Sequence, residues 1–132
     1  MIACLVDTDV LVDASRGADE AIEFLKKQEA RGDVGVSVIT QMELLAGCRN
    51  SSEQRAVDQF LERFAIIPPN ELISTLAVKF LVRYRLAYGL QIPDAFIAAT
   101  ASTGGYWLAT KNRKHFQNIR GLKLLPRLYP SR

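Results

Sequence analysis

The chain opens with five apolar positions, 2–6, followed at once by three polar ones, and residues 2–9 read Ile2-Ala3-Cys4-Leu5-Val6-Asp7-Thr8-Asp9. A short, unbroken apolar run of this kind indicates a strand that is buried on both faces, as in parallel sheets. The run ends at Asp7. The sequence therefore predicts a carboxylate at the carboxyl end of a central strand.

Outward from this segment, short apolar runs alternate with helical patterns. Further strands are predicted at 34–38, 65–67, 106–109 and 122–125. Helices are predicted at 18–31, 40–47, 52–64, 71–88 and 93–102, with Ser51 or Ser52 capping the third and Asn70 the fourth, and 111–116 is a short irregular or helical piece. The fourth helix should bury a stripe of Leu72, Leu76, Phe80 and Tyr84. This alternation predicts one α/β domain over 1–132, a mostly parallel central sheet flanked by helices on both faces.

Four polar positions should meet at one edge of that sheet. In such folds the carboxyl ends of the strands and the amino ends of the helices share one edge, where ligands usually bind. Asp7 ends a strand, Glu43 and Asp94 begin helices, and Asn112 follows a strand. Each acid also has a structural explanation, since Glu43 could complete a capping box with Thr40 and Asp94 could complement a helix dipole.

Three neighbouring carboxylates repel one another unless a cation joins them. Oxygen ligands suit hard ions such as Mg²⁺ or Mn²⁺, and a single histidine and two scattered cysteines argue against zinc. A divalent ion at such a site can activate water and stabilise the oxygens of a phosphodiester under attack. The sequence thus predicts metal-assisted phosphodiester hydrolysis.

The composition is that of an ordinary soluble protein, with 48% hydrophobic and 23% charged residues and no apolar run near the ~20 residues of a membrane span. We expect a cytoplasmic protein with no membrane contact, in which Cys4 and Cys48 are packing residues. All 14 acidic residues lie at or before Asp94, whereas 95–132 contains seven basic residues and no acid. This basic segment is either a solvated tail or a surface for nucleic acid.

Four segments resemble the ordered motifs of PIN-domain nucleases, particularly VapC-type toxins of toxin–antitoxin systems. They are LVDTDVLVD at 5–13, VITQMELLAG at 38–47, PDAFIAATA at 93–101 and LATKN at 108–112, the last followed by Phe116. The resemblance covers essentially the whole chain. It implies a PIN-like three-layer fold and a Mg²⁺- or Mn²⁺-dependent endoribonuclease that cuts RNA. It also implies a homodimer and a VapB-like antitoxin whose tail blocks the site.

Carried over by position, the resemblance implies that Asp7, Glu43 and Asp94 are catalytic, metal-binding acids, supported by Thr8 and Thr110. The fourth position, commonly acidic in the family, is Asn112, a neutral metal ligand at best. His115 stands where many relatives carry another Asp. Three cations next to the site are candidates for holding RNA phosphates: Lys111, Arg113 and Lys114.

Two other functions stay open at this point. With Asn112 in the fourth position, the same fold could be a catalytically weakened module that binds RNA or an antitoxin. Asp7-Thr8-Asp9 also resembles the nucleophile motif of haloacid-dehalogenase-like phosphatases, although that family adds later acidic residues that are absent after Asp94. Tyr106 and Trp107 could stack on bases, but a predicted central strand favours a place in the core.

Overall fold

A computed structural model describes residues 1–129 and shows a four-stranded parallel sheet. The strands are β1 (Ile2–Val6), β2 (Asp33–Ser37), β3 (Ala65–Ile67) and β4 (Leu108–Ala109), in the order β3-β2-β1-β4. β1 is therefore an inner strand, with β2 on one side and β4 on the other. The last basic residue of the sequence, Arg132, lies outside the described residues.

Helices connect the strands as parallel pairing requires. They are α1 (Thr8–Ser15), α2 (Asp19–Glu29), α3 (Val38–Ala46), α4 (Ser51–Leu61), α5 (Glu71–Tyr88), α6 (Ile92–Gly104) and α7 (Arg113–Phe116). Within residues 1–129, no helix is both long enough and apolar enough to cross a bilayer.

The sheet separates two hydrophobic cores, and β1 supplies residues to both. Leu5 packs in the core that contains α5 and α6, whereas Cys4 and Val6 pack in the core formed with α1, α2 and α4. Alternate residues of a strand point to opposite faces, so a strand covered on both sides must be apolar throughout. The prediction of a mostly parallel α/β sheet with helices on both faces is confirmed, and the buried Cys4 is a packing residue as expected.

The predicted start of α3 is wrong, and the correction bears on the site. The N-cap is Ser37, whose hydroxyl accepts a hydrogen bond from the backbone N–H of Ile39 at 3.0 Å. Thr40 therefore lies inside the helix, fully buried, and Glu43 lies in the second turn. Because Glu43 does not begin a helix, the capping box with Thr40 does not exist and cannot explain this acid.

Other boundaries also differ from the predictions. Helix α1 was not predicted, because the acids at 9 and 13 interrupt the apolar pattern formed by its buried residues Val10, Leu11 and Ala14. Helix α4 is capped by Asn50, whose Oδ1 accepts from Glu53 N–H at 2.9 Å, rather than by Ser51 or Ser52. The predicted strand at 122–125 is reduced to an isolated bridge with β4.

Two predictions of burial are wrong. Leu72 is 69% exposed, because the buried face of α5 is formed by Ile73, Ala77, Phe80 and Tyr84. Trp107 precedes β4 rather than lying within it and is 46% exposed, so it is not a core residue.

Candidate active site

Asp7 lies at the carboxyl end of β1 and caps α1. Its backbone N–H continues the sheet by donating to the carbonyl of Ala109 at 2.9 Å. The residue is 7% exposed, and its side chain accepts two hydrogen bonds, Oδ1 from Thr8 N–H at 2.8 Å and Oδ2 from the Thr110 hydroxyl at 2.7 Å. The structure thus places Thr8 and Thr110, both predicted as supporting residues, in contact with this carboxylate.

Glu43 reaches the same edge through Thr8. The Thr8 hydroxyl donates to Glu43 Oε1 at 2.6 Å and lies 3.0 Å from the Thr40 hydroxyl. A hydroxyl has one hydrogen. Because Thr8 gives its hydrogen to the carboxylate, Thr40 must donate to Thr8. Thr40, which the sequence suggested only as a cap, therefore helps to hold Glu43.

Asp94 occupies the first turn of α6, as predicted. Its Oδ2 lies 3.0 Å from His115 Nδ1 and accepts a long hydrogen bond of 3.4 Å from Gln91 N–H. The N–H contact is the backbone half of a capping box, so Asp94 also has a structural role at the helix start. The amide of Asn112 lies 3.0 Å from the same imidazole nitrogen.

The electrostatics of Asp7 show that Asp9 and Asp94 are close to it. The pKa of the Asp7 carboxyl is raised from 3.8 to about 7, mainly by burial, then by the charge of Asp9 and, to a smaller extent, by the charge of Asp94. The hydrogen bonds from Thr110 and Thr8 act in the opposite direction. Asp7 forms no ion pair with a Lys or Arg in the described part of the chain, and no basic group is among the main causes of this shift.

Asp9 and Asp13 belong to this region but were missed as site residues. Asp9 Oδ2 accepts from Lys111 N–H at 3.1 Å, which ties α1 to the loop after β4. Asp13 Oδ2 accepts from Lys111 Nζ at 2.6 Å and from the Tyr129 hydroxyl at 2.7 Å. Burial raises the pKa of Asp9, whereas bonds from Lys111 and Tyr129 hold the pKa of Asp13 below its usual value despite some desolvation. The signal in the sequence was their position two and six residues after Asp7, which keeps them near the end of β1.

Two of the three predicted phosphate-binding cations have partners inside the protein. Lys111 forms the ion pair with Asp13, and Arg113 donates to the carbonyl of Leu125. Lys114 is exposed, and no hydrogen bond or ion pair to it is recorded within residues 1–129. Of the three, Lys114 is the one whose charge faces solvent without an internal partner.

The donor chemistry fits a hard divalent ion, although the side chains do not already surround one. Among the residues described, no three of the His, Cys, Asp and Glu side chains lie close enough to hold a metal as they stand. Each of Glu43 and Asp94 uses one oxygen for a protein donor and keeps the other, Oε2 and Oδ1, without a hydrogen bond in this part of the chain. Asp9 Oδ1 is buried without any partner. These uncompensated oxygens favour a cation at the edge.

Two clefts run away from this edge and share a wall at Ser15, Ala56 and Val57. A polar cleft of about 550 Å³ is lined by Thr8 and Glu43 at one side and by Arg16, Arg49 and Glu53 at the other. An apolar cleft of about 360 Å³ between α1, α2 and α4 is lined by Ala14, Ile22, Leu25, Phe60 and Arg63. The two clefts are therefore adjacent, and the polar cleft extends to Glu43.

A parallel sheet with acids at its carboxyl edge is the architecture of a PIN domain, and the sequence model described as "PIN domain" matches residues 4–122. The chain belongs to the PIN domain family. Within it, the chain is similar to Ribonuclease VapC10 of Mycobacterium tuberculosis, with 36% identity over 120 residues, 90% of each chain. It is also similar to Ribonuclease VapC1 of Methanocaldococcus jannaschii, with 33% identity over 91% of this chain and 85% of the relative.

Solved structures agree with this assignment. A toxin–antitoxin complex from Klebsiella pneumoniae superposes with a TM-score of 0.77 and 32% identity, covering 96% of this chain and 98% of the other. VapBC2 of Rickettsia felis, bound to a DNA fragment, superposes with a TM-score of 0.81 and 26% identity, covering 95% and 98%. The resemblance to VapC-type proteins inferred from the motifs is thereby confirmed.

Proposed function

We propose that this protein is a metal-dependent endoribonuclease and the toxin of a toxin–antitoxin pair. The observation that carries the proposal is the buried Asp7 carboxylate, which has acidic neighbours and no cationic partner at the carboxyl edge of the sheet. The relatives named ribonucleases are similar over 90% of the chain and support the reaction class.

Each acid has a distinct task in this proposal. Asp7 supplies buried charge at the bottom of the site, oriented by Thr8 N–H and Thr110. Glu43 and Asp94 supply the flanking oxygens, which Thr8 and His115 orient. A bound Mg²⁺ or Mn²⁺ would neutralise these charges and polarise water and phosphate for hydrolysis. Lys114, exposed on α7, would attract the RNA backbone without reading bases.

The proposed partners are RNA, a VapB-like antitoxin and a second copy of the chain. An antitoxin segment with apolar side chains would lie in the cleft between α1, α2 and α4, and its continuation would reach Glu43 through the polar cleft. Occupying both clefts would block access to the acids. The similar structures described as toxin–antitoxin complexes support this partner. We propose a cytoplasmic site of action, where RNA and antitoxin are both present.

A binding module without catalysis is the second candidate, and Asn112 in place of an acid is the observation that favours it.

We expect purified protein to cleave single-stranded RNA with Mg²⁺ or Mn²⁺ and not with EDTA. Removing one metal-site charge costs several kcal/mol of transition-state stabilisation, so Asp7→Asn and Glu43→Gln should cut at least ~100-fold more slowly. Asp58→Asn, an exposed acid on α4, is the matched control and should cut normally.

The same variants test the toxin role in cells. Expression of the wild type should arrest growth of a bacterial host, the neighbouring reading frame should relieve the arrest, and Asp7→Asn should be harmless. RNA binding without cleavage in both metals would establish the module instead. Cleavage by Asp7→Asn at the wild-type rate would remove this acid from the mechanism.

A further inference from the structure

His115 lies between Asp94 and Asn112. Its Nδ1 is 3.0 Å from Asp94 Oδ2 and 3.0 Å from the side-chain amide of Asn112. The His115 side chain is 38% exposed and the Asp94 side chain 15% exposed, so the contact with the carboxylate is partly shielded from water. Asn112 and His115 lie three residues apart, joined also by a backbone hydrogen bond of 3.1 Å from His115 N–H to the Asn112 carbonyl.

His115 Nδ1 cannot form hydrogen bonds with both Asp94 and Asn112 when the Asn112 amide is oriented with Nδ2 towards the ring. An ionised carboxylate only accepts hydrogen bonds, so Nδ1 must carry a hydrogen to bond Asp94. A protonated Nδ1 cannot then accept from an amide NH₂. The amide group has the same shape when its oxygen and nitrogen are exchanged, and its orientation follows from the hydrogen-bond network. The network is satisfied only when the Asn112 oxygen faces Nδ1.

We propose that Asn112 and His115 form one positioning unit for Asp94, in which Nδ1–H is shared by Asp94 Oδ2 and Asn112 Oδ1, and that Asn112 is not a ligand of the metal. This inference rests on the proposed metal-dependent function. The unit fixes Asp94 through Oδ2, which leaves Oδ1 to face the ion. The Asn112–His115 pair therefore takes the place of the acid that the family commonly carries at the fourth position.

The chain contains one histidine, which makes the hydrogen position directly measurable. In metal-free protein labelled with ¹⁵N, at about pH 8 where an ordinary imidazole is neutral, we expect the Nδ1 signal of a protonated ring nitrogen. Asn112→Leu should keep this tautomer, because Asp94 still accepts. In Asp94→Asn the new side chain can turn its NH₂ group towards the ring, so Nδ1 should no longer need to carry a hydrogen and its signal should change. An unprotonated Nδ1 in the wild type would overturn the proposal.

Metal affinity tests the positioning role. Because partners that orient a ligand contribute about tenfold or more to metal affinity, His115→Leu should weaken Mn²⁺ binding, measured by calorimetry, by ~10-fold. His115→Asn should stay within about threefold of the wild type, since Asn Nδ2 occupies the position of Nδ1 and can donate to Asp94. Gln117→Leu, exposed at the end of α7, is the matched control. Equal losses in His115→Leu and His115→Asn would contradict the proposal.

The double variant separates a positioning Asn112 from a metal ligand. If both residues act through Asp94, Asn112→Leu combined with His115→Leu should bind Mn²⁺ no more weakly than His115→Leu alone. Additive losses would show that Asn112 binds the ion independently and would overturn the inference. Failure of the wild type to bind Mn²⁺ would instead refute the proposed function, and the nitrogen signals would still report the tautomer.

Discussion

The buried carboxylate of Asp7 destabilises the metal-free folded protein when it is ionised. Its carboxyl has a pKa of about 7 in the folded state against an ordinary 3.8. Between these values the unfolded chain releases a proton that the folded chain retains. The free energy of unfolding therefore has its full value below pH ~4, falls as the pH rises and is lowest once the pH passes ~7.

Asp7→Asn should remove most of this dependence. A shift of about three pKa units corresponds to ~4 kcal/mol, so in EDTA at about pH 8 the variant should be more stable than the wild type by up to that amount. At about pH 4 the two should be similar. Urea unfolding across this range is the measurement. Some slope should remain, because the pKa of Asp9 is also raised.

Added Mg²⁺ provides the control for that comparison. An ion that binds only the folded state stabilises it, so the wild type should gain stability and Asp7→Asn should not. If the free energies of unfolding of the wild type and Asp7→Asn changed with pH in the same way, ionisation of Asp7 would not destabilise the folded state and the prediction would be wrong.

Single residues were predictable where their position in a motif implied their location. Asp7, Glu43 and Asp94 reach one edge because a strand end and helices α3 and α6 bring them there. The order of elements indicated this for Asp7 and Asp94, whereas Glu43 reaches the edge from the second turn of α3 rather than from its start. The hydrogen-bond partners were not predictable. Thr40 and His115 act across contacts between residues distant in sequence, and side-chain direction in a helix depends on the exact helix start, which Ser37 sets.

At the scale of elements, caps and apolar periodicity predicted most helices, and the errors came from competing polar residues. Around α4, Asn50, Ser51 and Ser52 are all favourable caps, and the sequence does not choose among them. The structure does, because Asn50 has extended backbone and accepts from Glu53 N–H. The predicted strand at 122–125 is reduced to a single bridge because its neighbour β4 is only two residues long.

The cap of α4 gives a test of this correction. Asn50→Ala should lower the free energy of unfolding by about 1 kcal/mol, the usual loss for a helix N-cap, whereas exposed Ser51→Ala should change it by less than ~0.5 kcal/mol. Urea unfolding of both variants measures the difference. A larger loss in Ser51→Ala than in Asn50→Ala would mean that the helix begins one residue later than the structure shows.

At the scale of the whole molecule, α5 presents an apolar face that nothing in residues 1–129 covers. Val78, Val82 and Leu86 follow one another at four-residue spacing and are 61%, 80% and 98% exposed. Helical residues at this spacing form one stripe. The opposite face of α5 packs on the core, so the stripe is available to a partner. We expect a second copy of the chain to cover it, since identical stripes can pair about a two-fold axis.

Val82→Glu with Leu86→Glu should therefore produce monomers where the wild type forms dimers. Each buried Val or Leu contributes about 2 kcal/mol, and burying two glutamates adds a further cost, so the dimer dissociation constant should rise by at least ~100-fold. Gln54→Glu with Gln59→Glu adds the same two charges on exposed α4 positions and should leave the dimer intact. Light scattering over a concentration series measures both. The variant should remain a folded monomer, because Phe80 and Tyr84 on the inner face of α5 are unchanged. A wild type that is monomeric throughout the concentration series would refute the assignment of this face to a dimer interface.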